Sequence, residues 1–301
     1  MATTLSVPIP LNSQTSRHLR RYLHNPSAAN LNYPKQPFRT FPNYSRCNIS
    51  LPLSVSNSSS SSPSPAAATV QNPLRTGRFL TNKELECLEF LGNYNYHRQL
   101  DSGFLWVREM REEEMDMTAT LLSESFAESM LIPNGYAKLL EFLVKNYLIE
   151  RREMMPHCAT LLGVYRENGE EDFELAGTVE LIFDKKGYNA NPPTPTPPKN
   201  SPYICNMAVR NPLRRRGIGW HLLKAGEELI SKLSSSMEVY LHCRIIDEAP
   251  FNMYTKAGYG VVKTDSILTL LTLQRRKHLM RKDLPVLEDA SALDIPKEEL
   301  S

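Results

Sequence analysis

A run of arginines and glycines from Arg214 to Gly219 has the composition of a phosphate-binding loop at the start of a helix. The first turn of a helix leaves backbone N–H groups without partners and carries a partial positive charge, so a loop opening there can hold phosphate oxygens. Glycine lets the backbone approach the ligand, and arginine forms bidentate contacts with phosphate. The apolar run Tyr203–Val209 predicts a strand before the loop, and apolar residues at helical spacing from Leu222 to Leu233 predict a helix after it. The alternative is a solvated basic turn.

Two common nucleotide-binding patterns do not fit this loop. The dinucleotide pattern G-x-G-x-x-G fails because no glycine precedes Gly217 at the required position and the loop follows Pro212. The ATP-binding P-loop fails because Gly219 is followed by Trp220 and His221, not by Lys and Ser/Thr. What remains is R-x-x-G-x-G after a strand.

This remaining pattern resembles the pyrophosphate loop of the GNAT superfamily of acetyl-CoA-dependent N-acetyltransferases. The segment 238–259 looks like the family's next strand, helix and strand, ending in Tyr-x-Lys-x-Gly-aromatic. It is similar to protein N-terminal acetyltransferases, including the eukaryotic enzyme acting on Met-starting chains, where the strand also carries Leu-His, and to plant chloroplast N-terminal and lysine acetyltransferases. Pro250 departs from the family's frequent Ala, but proline is tolerated in a first helical turn. The layout matches over residues 103–275, and the specific motifs lie between Tyr203 and Tyr259.

The resemblance implies three catalytic side chains. Tyr254 matches the family's general acid, which protonates a leaving thiolate, and His242 matches the base. Tyr203 matches a tyrosine that helps to hold a catalytic water. A histidine suits the role of base because its ordinary pKa of about 6.5 lets it accept a proton near neutral pH. Each residue also has a structural alternative: a hydrogen-bonded strand histidine for His242, a core aromatic for Tyr203, and a ring packed at a helix–strand joint for Tyr254.

The same resemblance implies acetyl-CoA as co-substrate and no metal. Its expected contacts are the main chain at the end of the strand, the arginine–glycine loop, the first helical residues and the next strand–helix unit. These residues are Met207, Ala208, Val209, Arg214, Arg215, Arg216, Gly217, Ile218, Gly219, Trp220, Asp247 and Tyr254.

Residues 1–83 differ in composition from the rest of the chain. They contain no Asp or Glu, nine Lys or Arg and fourteen Ser, with too little apolar periodicity to offset the entropy of ordering. Such a segment is typical of an organellar transit peptide, and its Met-Ala-Thr-Thr start and many serines resemble chloroplast ones. We therefore predict a disordered transit segment over 1–72, a linker over 73–102 and a location in the plastid stroma. A plain disordered tail is the alternative.

Charge, hydropathy and cysteines exclude several classes of protein. Residues 84–301 carry 26 basic and 33 acidic residues, a net charge of −7, which argues against nucleic-acid binding. No apolar run approaches the length of a membrane span, so we expect no membrane insertion. The cysteines argue against zinc and against a disulfide framework because they are odd in number and show no C-x-x-C spacing. They are Cys47, Cys87, Cys158, Cys205 and Cys243.

The predicted strands and helices that position these residues indicate one α/β (α+β) domain over 103–275, with a tail over 276–301. The resemblance implies a mixed, mostly antiparallel sheet flanked by helices. The proline-rich stretch 190–202 predicts a surface insertion with no chemistry of its own. Strands are predicted near Phe104–Arg108, Ala159–Tyr165, Leu175–Phe183, Tyr203–Val209, Val239–Cys243, Tyr259–Thr264 and Ile267–Leu273, and helices near Glu112–Phe126, Tyr136–Ile149, from Trp220 and through Tyr254.

These features favour a plastid acetyltransferase whose partners are proteins or peptides with free amines, at N-termini and on lysine side chains. By the resemblance, residues 125–136 border the acceptor groove, where Met130, Leu131, Ile132 and Tyr136 could receive an apolar first side chain. Two alternatives stay open. A small-molecule N-acetyltransferase acting on an arylalkylamine or polyamine would share every cofactor residue. A non-catalytic acetyl-CoA-binding module would lack turnover.

Overall fold

A mixed sheet of eight strands carries the fold in the computed structural model, which describes residues 79–130, 136–189, 193–272 and 274–285. The predicted transit segment 1–72 lies outside these ranges. The described strands are β1 (Asn95–Leu100), β2 (Gly103–Glu109), β3 (Cys158–Glu167), β4 (Glu174–Ile182), β5 (Tyr203–Val209), β6 (Glu238–Arg244), β7 (Gly260–Thr264) and β8 (Lys277–Asp283). The α-helices are α1 (Asn82–Asn93), α2 (Met115–Met130), α3 (Ala137–Glu153), α4 (Ile218–Leu233) and α5 (Glu248–Lys256).

The strands lie in the order β1-β2-β3-β4-β5-β6-β8-β7. Every neighbouring pair is antiparallel except β5 and β6, which run parallel because helix α4 connects them. This arrangement confirms the predicted fold class, a GNAT-like α/β domain with helices on a mixed sheet.

Helices cover both faces of the sheet. Helix α4 buries the apolar stripe Leu222, Leu223, Leu229 and Ile230 in the larger core cluster, which also receives Leu88 and Leu91 of α1. On the opposite face, α2 and α3 pack with strands β3, β4 and β5 around a second cluster. Strand β5 is buried along its whole length because both its faces are covered.

The segment predicted as a linker contains helix α1 and strand β1. Thr81 caps α1: its side chain accepts from the Glu84 N–H, and the Glu84 carboxylate accepts from the Thr81 N–H at 2.8 Å. The same carboxylate lies 2.9 Å from Nε2 of His157 and 3.0 Å from the Lys186 ammonium. Helix α1 is therefore fastened to the body of the domain, and the sheet begins before residue 103.

The prediction of a strand near Ile267–Leu273 is wrong. Residues Ile267–Thr272 form a 3-10 helix, and the last strand is β8, which lies between β6 and β7 within the predicted tail. Charged side chains dominate the sequence of β8, so only Leu279 and Met280 show that it enters a core. The sheet thus extends beyond the predicted span on both sides.

None of the helices within the described residues is long and apolar enough to cross a membrane.

Candidate active site

Strands β5 and β6 separate soon after they begin. Their paired residues are Tyr203 with Tyr240 and Ile204 with Leu241. Within the described residues no further pair joins the two strands, so the later main-chain groups of β5 face a cleft instead of a neighbouring strand. A cleft of this kind can bind an extended polar ligand through backbone N–H and C=O groups. The predicted cofactor residues Met207, Ala208 and Val209 lie on this part of β5.

Strand β5 contains a β-bulge beside the cleft. Its pairing with β4 shifts between Thr178, opposite Ala208, and Glu180, opposite Cys205, so β5 holds one residue more. Asn206 lies within the bulge, with a left-handed φ of 46°. The bulge changes which side chains of β5 point to each face of the sheet. Ile204, Met207 and Val209 join the core containing α4, whereas Tyr203, Cys205 and Ala208 belong to clusters on the opposite face.

The arginine–glycine loop leads into the N-terminus of α4, as predicted. Gly217 is the N-cap with a left-handed φ of 83°, and no side chain among the described residues caps the helix. A Cβ on Gly217 would meet nothing within 4 Å. Glycine therefore suits this position through its backbone conformation, and the open first turn fits an anionic group.

The three arginines of the loop have different environments. Arg214 donates to the Val209 carbonyl at 3.0 Å and forms a bidentate pair with Glu128 at the end of α2. Arg216 pairs with Glu167 at 2.7 Å, and Arg215 is exposed. Because Arg214 and Arg216 already face carboxylates, Arg215 is the best placed of the three to meet a ligand phosphate.

Tyr203 and His242 are brought together across the two separating strands. The Tyr203 hydroxyl lies 2.7 Å from Nδ1 of His242, and both side chains are buried. Nε2 lies 2.8 Å from the Pro195 carbonyl, which can only accept, so Nε2 carries the proton and Nδ1 accepts from Tyr203. Burial and the nearby Lys277 charge lower the pKa of His242 to about 3, against the pull of the Pro195 hydrogen bond. The imidazole is therefore neutral near pH 7.

The contact with Pro195 corrects one part of the expectation for the proline-rich stretch, its placement at the surface. The sequence predicts a surface insertion with no chemistry of its own. Pro195 is instead buried, and its carbonyl fixes the tautomer of the predicted base. Composition marked the stretch as extended but could not show which strand its backbone meets.

Tyr254 lies in the last turn of α5, which ends in a Schellman motif. The Tyr259 N–H donates to the Tyr254 carbonyl and the Gly258 N–H to the Thr255 carbonyl, each at 3.0 Å. Gly258 takes φ of 96°, and the Tyr254 and Tyr259 rings meet edge to face. This geometry explains the Tyr-x-Lys-x-Gly-aromatic spacing: glycine ends the helix, and the second aromatic packs on the buried Tyr254.

We expect the Gly258→Ala variant to lose about 1 to 2 kcal/mol of unfolding free energy, because alanine resists left-handed backbone. Space is not the cause, since a Cβ would lie 3.7 Å from Lys282 Cε, an ordinary contact. Gly258→Asn is the matched control because asparagine tolerates this conformation better. Urea denaturation measures both, and an alanine variant as stable as the asparagine variant would contradict the role given to φ.

Two other predicted cofactor residues have protein partners. The Asp247 carboxylate forms a bidentate pair with Arg244, at 2.6 and 2.9 Å. The Trp220 ring is partly buried and lies 5.0 Å from the Lys224 ammonium. Ile218 and Gly219 belong to the first turn of α4. Among the described residues, no group of three or more His, Cys, Asp or Glu side chains could hold a metal ion.

Sequence reasoning missed a buried polar group beside the bulge. Tyr147 and Arg151 of α3, Glu180 of β4 and Asn206 of β5 are all buried and in contact. The available signal was a lone polar residue inside each of two apolar strands. Tyr147 and Arg151 also stand four apart, so they share one face of a helix.

The comparisons with known proteins agree with this geometry. The pattern of the Acetyltransferase (GNAT) family matches residues 125–259. The chain is 62% identical over 224 residues to GCN5-related N-acetyltransferase 5, chloroplastic, of Arabidopsis thaliana, covering 72% of this chain and 70% of that protein. It is 34% identical over 61 residues to an N-alpha-acetyltransferase of Sulfurisphaera tokodaii, covering 20% of this chain and 36% of that protein.

Among solved structures, an acetyltransferase of the GNAT family from Streptococcus pneumoniae is similar with a TM-score of 0.37 at 16% identity, covering 60% of this chain and 99% of that chain. The identity to the Arabidopsis protein extends over most of both chains, and the family pattern spans the cleft and its loop. This chain therefore belongs to the GNAT family of acetyltransferases.

Proposed function

We propose that this protein transfers acetyl groups from acetyl-CoA to amines of chloroplast proteins, both N-terminal α-amines and lysine ε-amines. The observation that carries the proposal is the buried pair of Tyr203 and His242 at the point where β5 and β6 separate. The imidazole is neutral and accepts from the Tyr203 phenol, so it orients the hydroxyl oxygen that would take a proton from the amine or from a water.

The cleft and the loop fit the two ends of acetyl-CoA. The main chain of Met207–Val209 is suited to the amide groups of an extended arm, and the open turn at Gly217 to a pyrophosphate. Arg215 adds charge there. Acetyl-CoA supplies the acetyl thioester when bound, and the chain's own residues then orient it against β5.

The proton chemistry follows from the hydrogen bonds. Amines arrive mostly protonated, with ordinary pKa values of about 8 for an α-amine and 10.4 for lysine. The Tyr203 hydroxyl donates to His242, so its lone pairs are available to the attacking amine or to a water. The amine releases one proton to solvent and attacks in its neutral form. Its nitrogen forms a bond to the acetyl carbon and passes a second proton to the Tyr203 oxygen, whose own proton moves to Nδ1 of His242. The C–S bond breaks, and Tyr254 donates a proton to the leaving sulfur.

The acceptor side is consistent with a protein substrate. Two arginines hold the end of α2, one from each side of the cleft. Arg214 pairs with the Glu128 carboxylate, and the Arg244 guanidinium donates to the Ser129 carbonyl at 3.3 Å. Met130, next in the chain, is exposed, and so is Tyr136. Leu131 and Ile132 lie outside the described residues. Exposed apolar side chains at the edge of a cleft suit the first residue of a polypeptide.

The relatives support the same compartment and substrate class. The name of the 62% identical Arabidopsis protein places it in the chloroplast, as the composition of residues 1–72 predicts for this chain. The Sulfurisphaera relative is named as an N-alpha-acetyltransferase. These names support our proposal of protein amines as the substrates, within the chloroplast.

The proposal is tested by incubating the protein with acetyl-CoA and either a peptide library or a panel of arylalkylamines and polyamines. We expect mass spectrometry to show acetylated peptide α-amines and lysines. Activity on free amines alone would exclude a protein substrate, and CoA binding without turnover on any amine would favour the non-catalytic module. Profiling acetylated N-termini and lysines after expression in bacteria would then define the preferred sequences.

We expect Arg215→Ala to weaken acetyl-CoA binding about 10- to 100-fold, because a charge-assisted hydrogen bond contributes about 1.5 to 3 kcal/mol. The loss should shrink at high salt, since the group is exposed. Arg210→Ala is the control, because Arg210 precedes the loop and pairs with Glu174. Titration calorimetry measures both, and equal losses would show a general charge effect.

A further inference from the structure

Four polar side chains form a buried network between helix α3 and strands β4 and β5. The Glu180 carboxylate lies 2.6 Å from Arg151 Nε and accepts from the Tyr147 hydroxyl at 2.7 and 2.9 Å. Asn206 donates from Nδ2 to Glu180 at 2.7 Å and to the Tyr147 oxygen at 3.1 Å. The Arg151 guanidinium also donates to the Gly187 carbonyl at 2.6 Å. The network thus joins helix α3, strands β4 and β5, and the turn that contains Gly187.

Such a network is an expensive way to stabilise a core. Removing a carboxylate and a guanidinium from water costs more than an apolar pair of the same volume, and the mutual attraction often fails to recover the difference. Arg151 and Glu180 are each only 2% exposed, so water screens neither charge. We therefore infer that the network serves to fix the positions of its neighbours more than to add stability. Its hydrogen bonds link Glu180 and Tyr147 to Asn206.

Asn206 is the residue that the bulge places in left-handed backbone. A φ of 46° is unfavourable for most side chains, although asparagine adopts it more readily than others. Both hydrogens of its side-chain amide are directed to Glu180 and Tyr147, which fixes the side chain against β4 and α3. The bulge in turn decides which face Met207 takes, because a shift of one residue exchanges the two faces of a strand.

We propose that the network of Arg151, Glu180 and Tyr147 is a positioning device that holds Asn206 and the bulge of β5, and so sets the main chain of Met207–Val209 for acetyl transfer. This inference rests on the proposed function for the consequence in turnover. In this proposal the network acts through strand β5 and not on a reacting atom, so its members are positioning residues. Misplacement of reacting groups by about 1 Å can cost two orders of magnitude in rate.

The test compares Asn206→Ala with Asn206→Gly in the full chain. Alanine removes the side-chain anchor and resists positive φ, so we expect kcat to fall at least tenfold and more than the affinity for CoA falls. Glycine removes the same anchor but accepts positive φ, so part of the lost kcat should return. Rescue by glycine is the signature of a conformational role, because a merely structural loss would not be restored by a smaller, more flexible residue.

Two further variants keep the inference falsifiable. Tyr147→Phe removes one partner of Asn206 while preserving ring volume, and we expect a smaller fall in kcat in the same direction. Cys205→Ala is the matched control, because Cys205 is buried next to Asn206 and lies opposite Glu180 but, among the described residues, holds no network member by a side-chain hydrogen bond. It should lose stability and keep kcat. Wild-type kcat in a folded Asn206→Ala protein, or an equal fall in Cys205→Ala, would overturn the inference.

A readout without turnover separates this inference from the proposed function. Crystal structures of Asn206→Ala and Asn206→Gly show directly whether Met207 keeps its face. We expect the bulge to move or vanish with alanine and to persist with glycine. An unchanged bulge with alanine would overturn the positioning role even if the wild-type protein acetylates amines. A wild-type protein that acetylates no amine would overturn the proposed function and leave this structural test to decide the network's role.

Discussion

Tyr254→Phe lowers kcat by about 10²- to 10⁴-fold and changes the affinity for acetyl-CoA little, the range that loss of a general acid produces. The phenol is buried at the end of α5, and its ring packs edge to face on Tyr259. Phenylalanine keeps that packing and removes only the hydroxyl. Release of CoA, followed with a thiol reagent, measures kcat, and titration calorimetry measures affinity.

Tyr259→Phe is the matched control for this prediction. It removes a hydroxyl from the ring that contacts Tyr254, at a position given no part in proton transfer. We expect its kcat to stay close to that of the wild type. If Tyr254→Phe turned over as fast as Tyr259→Phe, Tyr254 would be discarded as the acid and retained only as packing.

His242→Gln lowers kcat by about 10²-fold, because the Tyr203 hydroxyl loses the imidazole that orients it. The pH profile is the sharper part of the prediction. With a pKa of about 3, His242 stays neutral through the working range. The acid limb of kcat/KM should therefore follow deprotonation of the substrate amine, with no inflection near the ordinary histidine pKa of 6.5. An inflection there that disappears in His242→Gln would show that the imidazole titrates freely.

The same depressed pKa makes stability depend on pH. Below pH 6.5 the unfolded chain protonates this histidine, whereas the folded chain does not until about pH 3. The unfolded state then binds more protons, so the unfolding free energy falls as the pH falls, by at most about 1.4 kcal/mol per pH unit. The difference between wild type and His242→Gln, measured by urea denaturation from pH 7 to 4.5, isolates this group. A difference independent of pH would contradict the burial of a neutral imidazole.

The parts of the site that depend on local sequence could be predicted from it. Strand β5 has the predicted bounds Tyr203–Val209, because a short apolar run between turn residues leaves little choice. The loop precedes a helix as expected, since Gly217 must take positive φ and the apolar stripe begins directly afterwards. The contact of Tyr203 with His242 follows once the two parallel strands are placed side by side.

The parts that depend on pairing between distant residues could not be predicted. The bulge at Asn206 arises from the register of β5 on β4, and a seven-residue apolar run does not reveal an extra residue. Pro195 and His242 are 47 residues apart, and composition alone cannot show that a proline-rich loop turns inward. Strand β8 was missed because its many charges resemble a tail, while the more apolar run at Ile267–Thr272 forms a 3-10 helix.

The helix cap formed by Thr81 and Glu84 bears on where the predicted transit segment could be cleaved. The Glu84 carboxylate caps helix α1 and also contacts His157 and Lys186. Hydrogen bonds from the Thr81 N–H, the Lys186 ammonium and the Thr81 hydroxyl lower the pKa of Glu84 to about 2, so it stays ionised near neutral pH. A processing protease that cut after Thr81 would remove the cap and place a new charged amine beside the helix start. Any cleavage of the predicted transit segment that left helix α1 capped would therefore lie upstream of Thr81.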